Sequence, residues 1–202
     1  RKIKKRPVTE QLFAQLTLWR RELFKEIRGW GTLWAGDPRA VDNAVQRLLD
    51  RLIFIRSVED AGIEQNRLHA LVRQYQASRS KDKNLFRDLQ ALFRELNGIY
   101  NANLFAESTI DHVEIHNPDL LISIINGLYE APGGFISYDF NAIDADVLGN
   151  IYEQYLGWKE YDREAKEAIE LDKRQKRKSQ GIYYTPQFVV RYIVQNTLGR
   201  LL

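Results

Sequence analysis

Apolar residues recur every three or four positions through most of the chain, which is the period of amphipathic helices. The first stripe predicts a helix over residues 9–28 and consists of Leu12, Leu16, Trp19, Leu23 and Ile27. A second stripe starts at Asp37-Pro38, a capping residue followed by proline, and continues to Gly62. Because residues 48–55 are apolar on most sides, the second helix is predicted to be central to the fold.

Shorter stripes predict further helices over residues 64–76, from 85 to Asn97-Gly98, from 119 to about 129, over 144–156 and over 188–202. Residues 112–116 alternate between polar and apolar side chains, which favours a short strand. Residues 131–141 contain Pro132-Gly133-Gly134, which is typical of a loop or hairpin. The predicted fold class is therefore mainly α, a multi-helix connector or bundle with little or no β structure.

The composition narrows the classes of protein that fit. The 202 residues are 44% hydrophobic and 11% aromatic, which is enough for a real core and argues against disorder. The absence of cysteine excludes disulfides and thiolate metal sites and fits a reducing cytoplasm. No apolar run approaches the roughly 20 residues that span a bilayer, so we expect no membrane partner. The chain also lacks methionine, which favours a piece of a longer protein.

Positive charge is clustered, although the net charge is only +3. Residues 1–6 and 173–178 each hold five basic residues in six. Such runs form solvated surface or contact phosphates. For the second reading, the candidate DNA contacts are Arg174, Lys176, Arg177 and Lys178.

Catalytic patterns are weak in this sequence. His112 and His116 could pair on a metal, or could share an exposed face with Glu114 while Val113 and Ile115 point inward. Without a third ligand, we expect no metal site. Pro118-Asp119 with Glu164-Ala165-Lys166 spells a nuclease-like pattern, but both parts fall in predicted helices rather than on adjacent strands. We therefore expect no catalytic residue in this chain.

Residues 181–186 carry a more specific signal. Thr185 can cap a helix whose first residue is Pro186, and the free backbone N–H groups of such a start suit an anion. The adjoining Tyr183 and Tyr184 supply aromatic surface. Taken alone, the segment is better interpreted as an ordinary capped helix with buried tyrosines.

Two blocks together are distinctive: residues 146–156, DVLGNIYEQYL, and residues 181–186, GIYYTP, which run into VVRYIV at 189–194. The pair resembles bacterial adenine-specific DNA methyltransferases of restriction–modification systems, above all the single-chain type IIG enzymes. Residues 48–56 with Glu59-Asp60, Tyr100-Asn101 with Leu104-Phe105, and residues 138–140 fit the same family. The resemblance covers the chain from about residue 9 onward.

The resemblance implies a division of the chain. Residues 1–8 would be a basic segment, 9–157 a helical connector domain, 158–180 a charged linker, and 181–202 the start of a methyltransferase domain. It also implies that Tyr183, Tyr184, Thr185 and Pro186 help to bind S-adenosylmethionine in the parent enzyme. The remaining walls of the cofactor site lie outside this chain, so we expect the chain alone neither to bind the cofactor tightly nor to catalyse.

The partners that the resemblance implies are double-stranded DNA, a flanking nuclease domain and the rest of the methyltransferase. The same residues also resemble modification subunits that lack a nuclease. The alternative from another class is an autonomous helical module that binds a protein partner and has no role with nucleic acid.

Overall fold

The computed structural model describes residues 8–29, 37–131, 133–134, 137–140 and 194–195. Five α-helices account for most of these residues: α1 at Val8–Gly29, α2 at Pro38–Asp60, α3 at Arg67–Ala77, α4 at Leu85–Tyr100 and α5 at Pro118–Gly127. A single 3-10 turn lies at Thr109–His112. In the described part, β structure is limited to one antiparallel bridge between Glu130 and Ser137. The mainly α fold class is confirmed.

The chain divides into two compact units, Arg1–Ala142 and Ile143–Leu202. All five helices belong to the first unit. The second contributes only Val194 and Gln195 to the described residues, both in a helical conformation. The predicted helix over 144–156 and nearly all of the one over 188–202 therefore lie outside the described residues.

Helix α2 lies at the centre of the first unit, as its apolar pattern predicts. It packs against α1, α3 and the 3-10 turn. Asp37 caps it by accepting a hydrogen bond from the backbone N–H of Arg39, and Pro38 is its first residue. Its fully buried apolar side chains are Val41, Ala44, Val45, Leu48, Leu49, Leu52 and Ile55. Burial of these side chains supplies much of the stability of the unit.

Two predicted helix ends are wrong. Helix α3 begins at Arg67 rather than at residue 64, because residues 61–66 form a turn in which the backbone N–H groups of Ile63 and Glu64 bond the Val58 carbonyl. Helix α4 continues through Asn97-Gly98 to Tyr100. It ends at Asn101, whose left-handed backbone (φ 45°) closes the helix with a hydrogen bond to the Asn97 carbonyl.

Residues 112–116 form no strand, because no described segment pairs with them. The predicted alternation of faces is nevertheless confirmed. Val113 and Ile115 are buried, whereas His112, Glu114 and His116 are exposed. An extended backbone gives this alternation without a sheet.

Candidate functional site

Charged residues of α2 are buried in the core of the first unit and organise it. Asp42, Arg51, Arg56 and Glu59 are each less than a tenth exposed. Buried charges are tolerated only where partners satisfy them. Together these side chains bond three other parts of the chain, namely α1, the loop before α5, and the segments around α3 and Tyr129, so α2 is the element to which the other segments attach.

The first attachment joins α2 to the long loop before α5. The Arg51 guanidinium is fully buried, and its Nη1 and Nη2 atoms reach the two Asp111 carboxylate oxygens at 2.8 and 3.0 Å. The same side chain donates to the carbonyls of Leu104 and Ala106, at 3.0 and 2.8 Å. It also lies 4.9 Å from the centre of the Phe93 ring. One side chain thus fixes a segment that has little regular structure.

This arrangement lowers the pKa of the Asp111 carboxyl. Burial by itself would raise the pKa of the Asp111 carboxyl, but the hydrogen bonds and charge of Arg51, together with the Ser108 backbone, hold that pKa below its ordinary value. The carboxylate is therefore ionised at neutral pH and pairs with the arginine.

The second attachment is a group that we call the Arg56 cluster, made of Arg56, Glu59, Asp60, Tyr129 and Phe140. Arg56 Nη1 bonds Glu59 at 3.0 Å, and Nη2 bonds both Asp60 oxygens at 2.6 and 2.7 Å. Its guanidinium lies 3.8 Å from the centre of the Tyr129 ring. The two carboxylates then bind other segments: Glu59 accepts the Tyr129 hydroxyl at 2.6 Å, and Asp60 accepts the Phe140 backbone N–H at 2.8 Å.

Helix α3 joins the Arg56 cluster from the opposite side. Glu59 accepts a hydrogen bond from the backbone N–H of Leu68 at 3.1 Å, in the first turn of α3. The His69 imidazole stacks on Tyr129, with ring centres 3.5 Å apart. Tyr129 therefore lies between a guanidinium and an imidazole. Burial, then the bond to Glu59, raises the pKa of the Tyr129 hydroxyl far above its ordinary value, and burial lowers the pKa of His69.

The third attachment joins α1 to α2. Arg20 bonds Asp42 Oδ1 through Nε and Nη2, at 3.0 and 2.6 Å, and reaches Gln46 through Nη1 at 3.0 Å. Arg20 and Asp42 are both nearly inaccessible to solvent. The pair fixes the rotation of α1 about its own axis, because only one face of α1 carries this arginine.

The predicted metal candidates lie apart from these clusters. His112 Nε2 lies 3.1 Å from Glu107, and His116 Nε2 lies 2.9 Å from Glu114. Among the residues that the structure describes, no three histidine, aspartate or glutamate side chains are placed to hold one metal ion. The start of the nuclease-like pattern, Pro118-Asp119, opens helix α5, as the helical interpretation predicts. Its second part, residues 164–166, lies outside the described residues.

Helix α5 begins against α1. Asn117 caps the helix by accepting from the Leu120 backbone N–H at 3.1 Å. The Glu26 carboxylate of α1 accepts the N–H groups of His116 and Asn117, each at 3.0 Å. A shallow, open depression of about 330 Å³ lies between these two helix ends. Since a carboxylate of the chain itself already occupies the donors, this depression is not an anion site.

The residues predicted to bind the cofactor and the DNA are not among those that the structure describes. Tyr183, Tyr184, Thr185 and Pro186 lie outside the described residues, as do Arg174, Lys176, Arg177 and Lys178. Their roles stay predictions.

Sequence reasoning missed the buried charges of α2. A usable signal was present: Arg51 interrupts the apolar run of residues 48–55, and Arg56 precedes Glu59 and Asp60 at spacings of three and four. An arginine within an apolar helical run indicates a buried ion pair, but the partners Asp111 and Tyr129 are 60 and 73 residues further on, where no local pattern links them.

These observations define the first unit as a helical scaffold held together by buried ion pairs. Within the described part, every buried carboxylate is engaged by an arginine or by backbone and hydroxyl donors, and none is directed into an open pocket. No described helix is long and apolar enough to cross a membrane.

A comparison of sequences gives the scaffold a context. The chain is 26% identical over 183 residues to the type II restriction enzyme and methyltransferase RM.Eco57I of Escherichia coli. The match covers 86% of this chain but only 17% of that relative. The predicted resemblance to type IIG-like restriction–modification enzymes is thereby confirmed. No family model matches the chain, and no solved structure matches it.

Proposed function

We propose that this chain is the helical connector region of a bacterial restriction–modification DNA methyltransferase, which positions the nuclease and methyltransferase domains on DNA. The observation that carries the proposal is the similarity over 183 residues to a relative named for both activities. Because the similarity extends over 86% of the chain, it includes most of the helical unit.

The buried ion pairs support a connecting role. A connector has to keep a fixed geometry, and charged pairs in the core specify one arrangement of the helices at a cost in desolvation. The Arg56 cluster ties α2, α3 and residues 129–140 together, and the second compact unit begins only three residues after Phe140. In this proposal the cluster sets the direction in which the chain leaves the scaffold.

The cofactor of the parent enzyme is S-adenosylmethionine, which supplies the methyl group for adenine. Tyr183 and Tyr184 would pack against it, and the helix start at Thr185-Pro186 would face its carboxylate. The parent would act on adenine in double-stranded DNA within the bacterial cytoplasm. Arg174, Lys176, Arg177 and Lys178 would contact phosphates near the target.

Binding of S-adenosylmethionine to the complete protein tests the cofactor assignment. We expect Tyr183→Ala and Tyr184→Ala each to raise the Kd by roughly tenfold, the order of one aromatic contact of about 1.5 kcal/mol. Tyr75→Ala, a tyrosine of α3, is the matched control and should leave the Kd unchanged. If both variants bound S-adenosylmethionine with the Kd of the wild type, the assignment would be contradicted. The 202-residue chain alone should bind weakly or not at all, and micromolar affinity would show that its site is complete.

A further inference from the structure

The connection between α3 and α4 holds an unusual concentration of positive charge. Residues 77–87 contain four basic residues and one acidic residue. Their net charge of +3 equals that of the whole 202-residue chain. The rest of the chain is neutral in sum, although residues 1–6 and 173–178 are also rich in basic residues. Within the helical part that the structure describes, this connection is therefore a local excess of positive charge.

All four basic side chains are exposed, and three of them are available to a partner. We call them the basic tip: Arg79 and Lys81 in the connection, and Arg87 in the first turn of α4. Within the described part of the chain, none of the three forms an ion pair, whereas Arg20, Arg51, Arg56 and Arg67 each hold a carboxylate. The chain thus pairs its buried arginines and leaves those of the tip open to solvent.

The fourth basic residue, Lys83, has a structural task that gives the tip its shape. Its ammonium donates to the carbonyls of Tyr75 and Ser78, at 3.3 and 3.2 Å, and lies 4.6 Å from the centre of the Tyr75 ring. Lys83 thereby closes the end of α3. The Ser78 and Ser80 hydroxyls accept the N–H groups of Ser80 and Asp82, which orders the short connection.

Helix stability does not explain the placement of Arg87. A cation in the first turn is disfavoured by the helix dipole, which prefers acidic residues there. Arg94 follows Arg87 by seven residues, so both lie on the same exposed face of α4. The rise between them is about 10 Å, which equals roughly three base-pair steps measured along the axis of a DNA duplex.

We propose that the basic tip, Arg79, Lys81 and Arg87, is a second contact to the DNA backbone, with Arg94 continuing the same line of phosphates. This inference rests on the proposed function, in which the parent acts on double-stranded DNA. It adds a contact surface that belongs to the helical unit and is separate in sequence from residues 174–178. The contact would be independent of base sequence, since all the side chains involved are suited to phosphates.

The test is the salt dependence of binding to a 30-base-pair duplex of arbitrary sequence, measured by fluorescence anisotropy with the complete protein. The triple variant R79Q/K81Q/R87Q should bind roughly tenfold or more weakly at 50 mM salt, and its plot of log K against log salt should be shallower by about 2.7. The matched control is K25Q/R28Q/R39Q, which removes three exposed charges from α1 and α2. It should keep the wild-type slope.

The outcomes separate the two proposals. Two results would overturn the tip as a DNA contact. One is an equal loss of DNA affinity in both triple variants, and the other is no loss in the tip variant while the wild type binds DNA. A wild type that binds no DNA would instead contradict the proposed function. If the tip variant loses binding to a polyglutamate peptide but binds DNA as the wild type does, the tip would be a contact for an acidic protein. That result would also overturn the inference. Circular dichroism of both variants shows whether the helices are retained.

Discussion

A buried arginine supplies the polar contacts that hold the irregular segment that follows α4. Arg51 bonds two carbonyls and the Asp111 carboxylate, and Phe54 packs on Phe105, so residues 104–111 attach to α2 through both side chains. An arginine can do this because its planar group carries five donors in a fixed arrangement. A lysine at the same position would satisfy fewer of these acceptors and would leave some of them buried without a partner.

The pairing of Arg51 with Asp111 predicts a pH dependence. The folded state lowers the pKa of Asp111, so its contribution is complete above the ordinary value of 3.8 and is lost as pH falls through the folded value. Asp111→Asn should therefore lower the free energy of unfolding at pH 7 by about 3 kcal/mol. The difference from wild type should shrink below pH 3.8.

Urea unfolding at several pH values measures this effect. Glu95→Gln is the control, because its pair with Arg67 is half exposed and should contribute less than about 1 kcal/mol at any pH. A constant difference between Asp111→Asn and wild type from pH 7 to pH 3 would show that the pair does not stabilise the fold through ionisation.

Two glycines in helices differ sharply in what surrounds them. A Cβ added to Gly127 of α5 would lie 2.5 Å from the Trp19 ring of α1, whereas one added to Gly98 of α4 would meet no atom within 4 Å. Gly127→Ala should cost about 1–3 kcal/mol through overpacking. Gly98→Ala should stabilise α4 by about 0.5–1 kcal/mol, since alanine is the better helix former. Thermal unfolding of both variants would contradict this account if the two melting temperatures shifted in the same direction.

At the scale of elements, α2 is the helix on which the other segments depend. Arg20 of α1, the start of α3, the 3-10 turn and residues 128–140 all bond to its side chains. Its apolar face provides burial, and its charged residues determine which segment packs where. The two contributions are different in kind, because apolar contacts are non-directional and ion pairs are not.

The Arg56 cluster predicts which backbone groups lose protection when it is broken. Asp60→Ala removes the acceptor of the Phe140 N–H and one partner of Arg56. Hydrogen exchange at the Phe140 amide should become at least tenfold faster, while amides in the centre of α1 keep their protection. Glu22→Ala, which breaks an exposed pair with Lys25, should change neither. Unchanged exchange at Phe140 in Asp60→Ala would mean that other contacts hold this segment.

Helix starts could be predicted well from the sequence, because caps are local. Asp37-Pro38 and Asn117-Pro118 each begin a helix as predicted. The end of α4 was misjudged at Asn97-Gly98, since a glycine inside a packed helix costs only about 1 kcal/mol and the apolar face of α4 outweighs it. The start of α3 was misjudged because the backbone of residues 61–66 turns back to the Val58 carbonyl. The Glu64 side chain there accepts the Tyr100 hydroxyl at 2.8 Å, a contact across 36 residues.

The candidate site was less predictable than the fold. The pattern of apolar positions identified the core of α2, but the loop groups that contact Arg51 lie 53 to 60 residues further on, and those that contact Arg56 lie 72 to 84 residues further on. Long-range packing brings Asp111 to Arg51, whereas Glu59 and Asp60 pair with Arg56 within the same helix. The residues that carry the family resemblance near position 183 lie outside the described part, so their site stays a prediction.

At the scale of the whole molecule, the chain contains a helical unit and, in the proposed function, a segment that helps to bind S-adenosylmethionine. The relative it matches is about six times longer than the aligned part, which fits a connector placed between larger domains. In this account the scaffold has no chemistry of its own. We propose that it acts by holding the Phe140 backbone against α2 and by presenting its basic tip to DNA.

The most direct test of the central claim is the transfer of tritiated methyl groups from S-adenosylmethionine to duplex DNA by the complete protein, wild type beside Asp60→Ala. We predict that the wild type methylates adenine. At a temperature where it remains folded, Asp60→Ala should keep the wild-type Kd for S-adenosylmethionine. Its kcat should fall at least tenfold, because the Phe140 backbone is then no longer bonded to α2. A wild type without methyl transfer to DNA, or an Asp60→Ala variant with unchanged kcat, would contradict the claim.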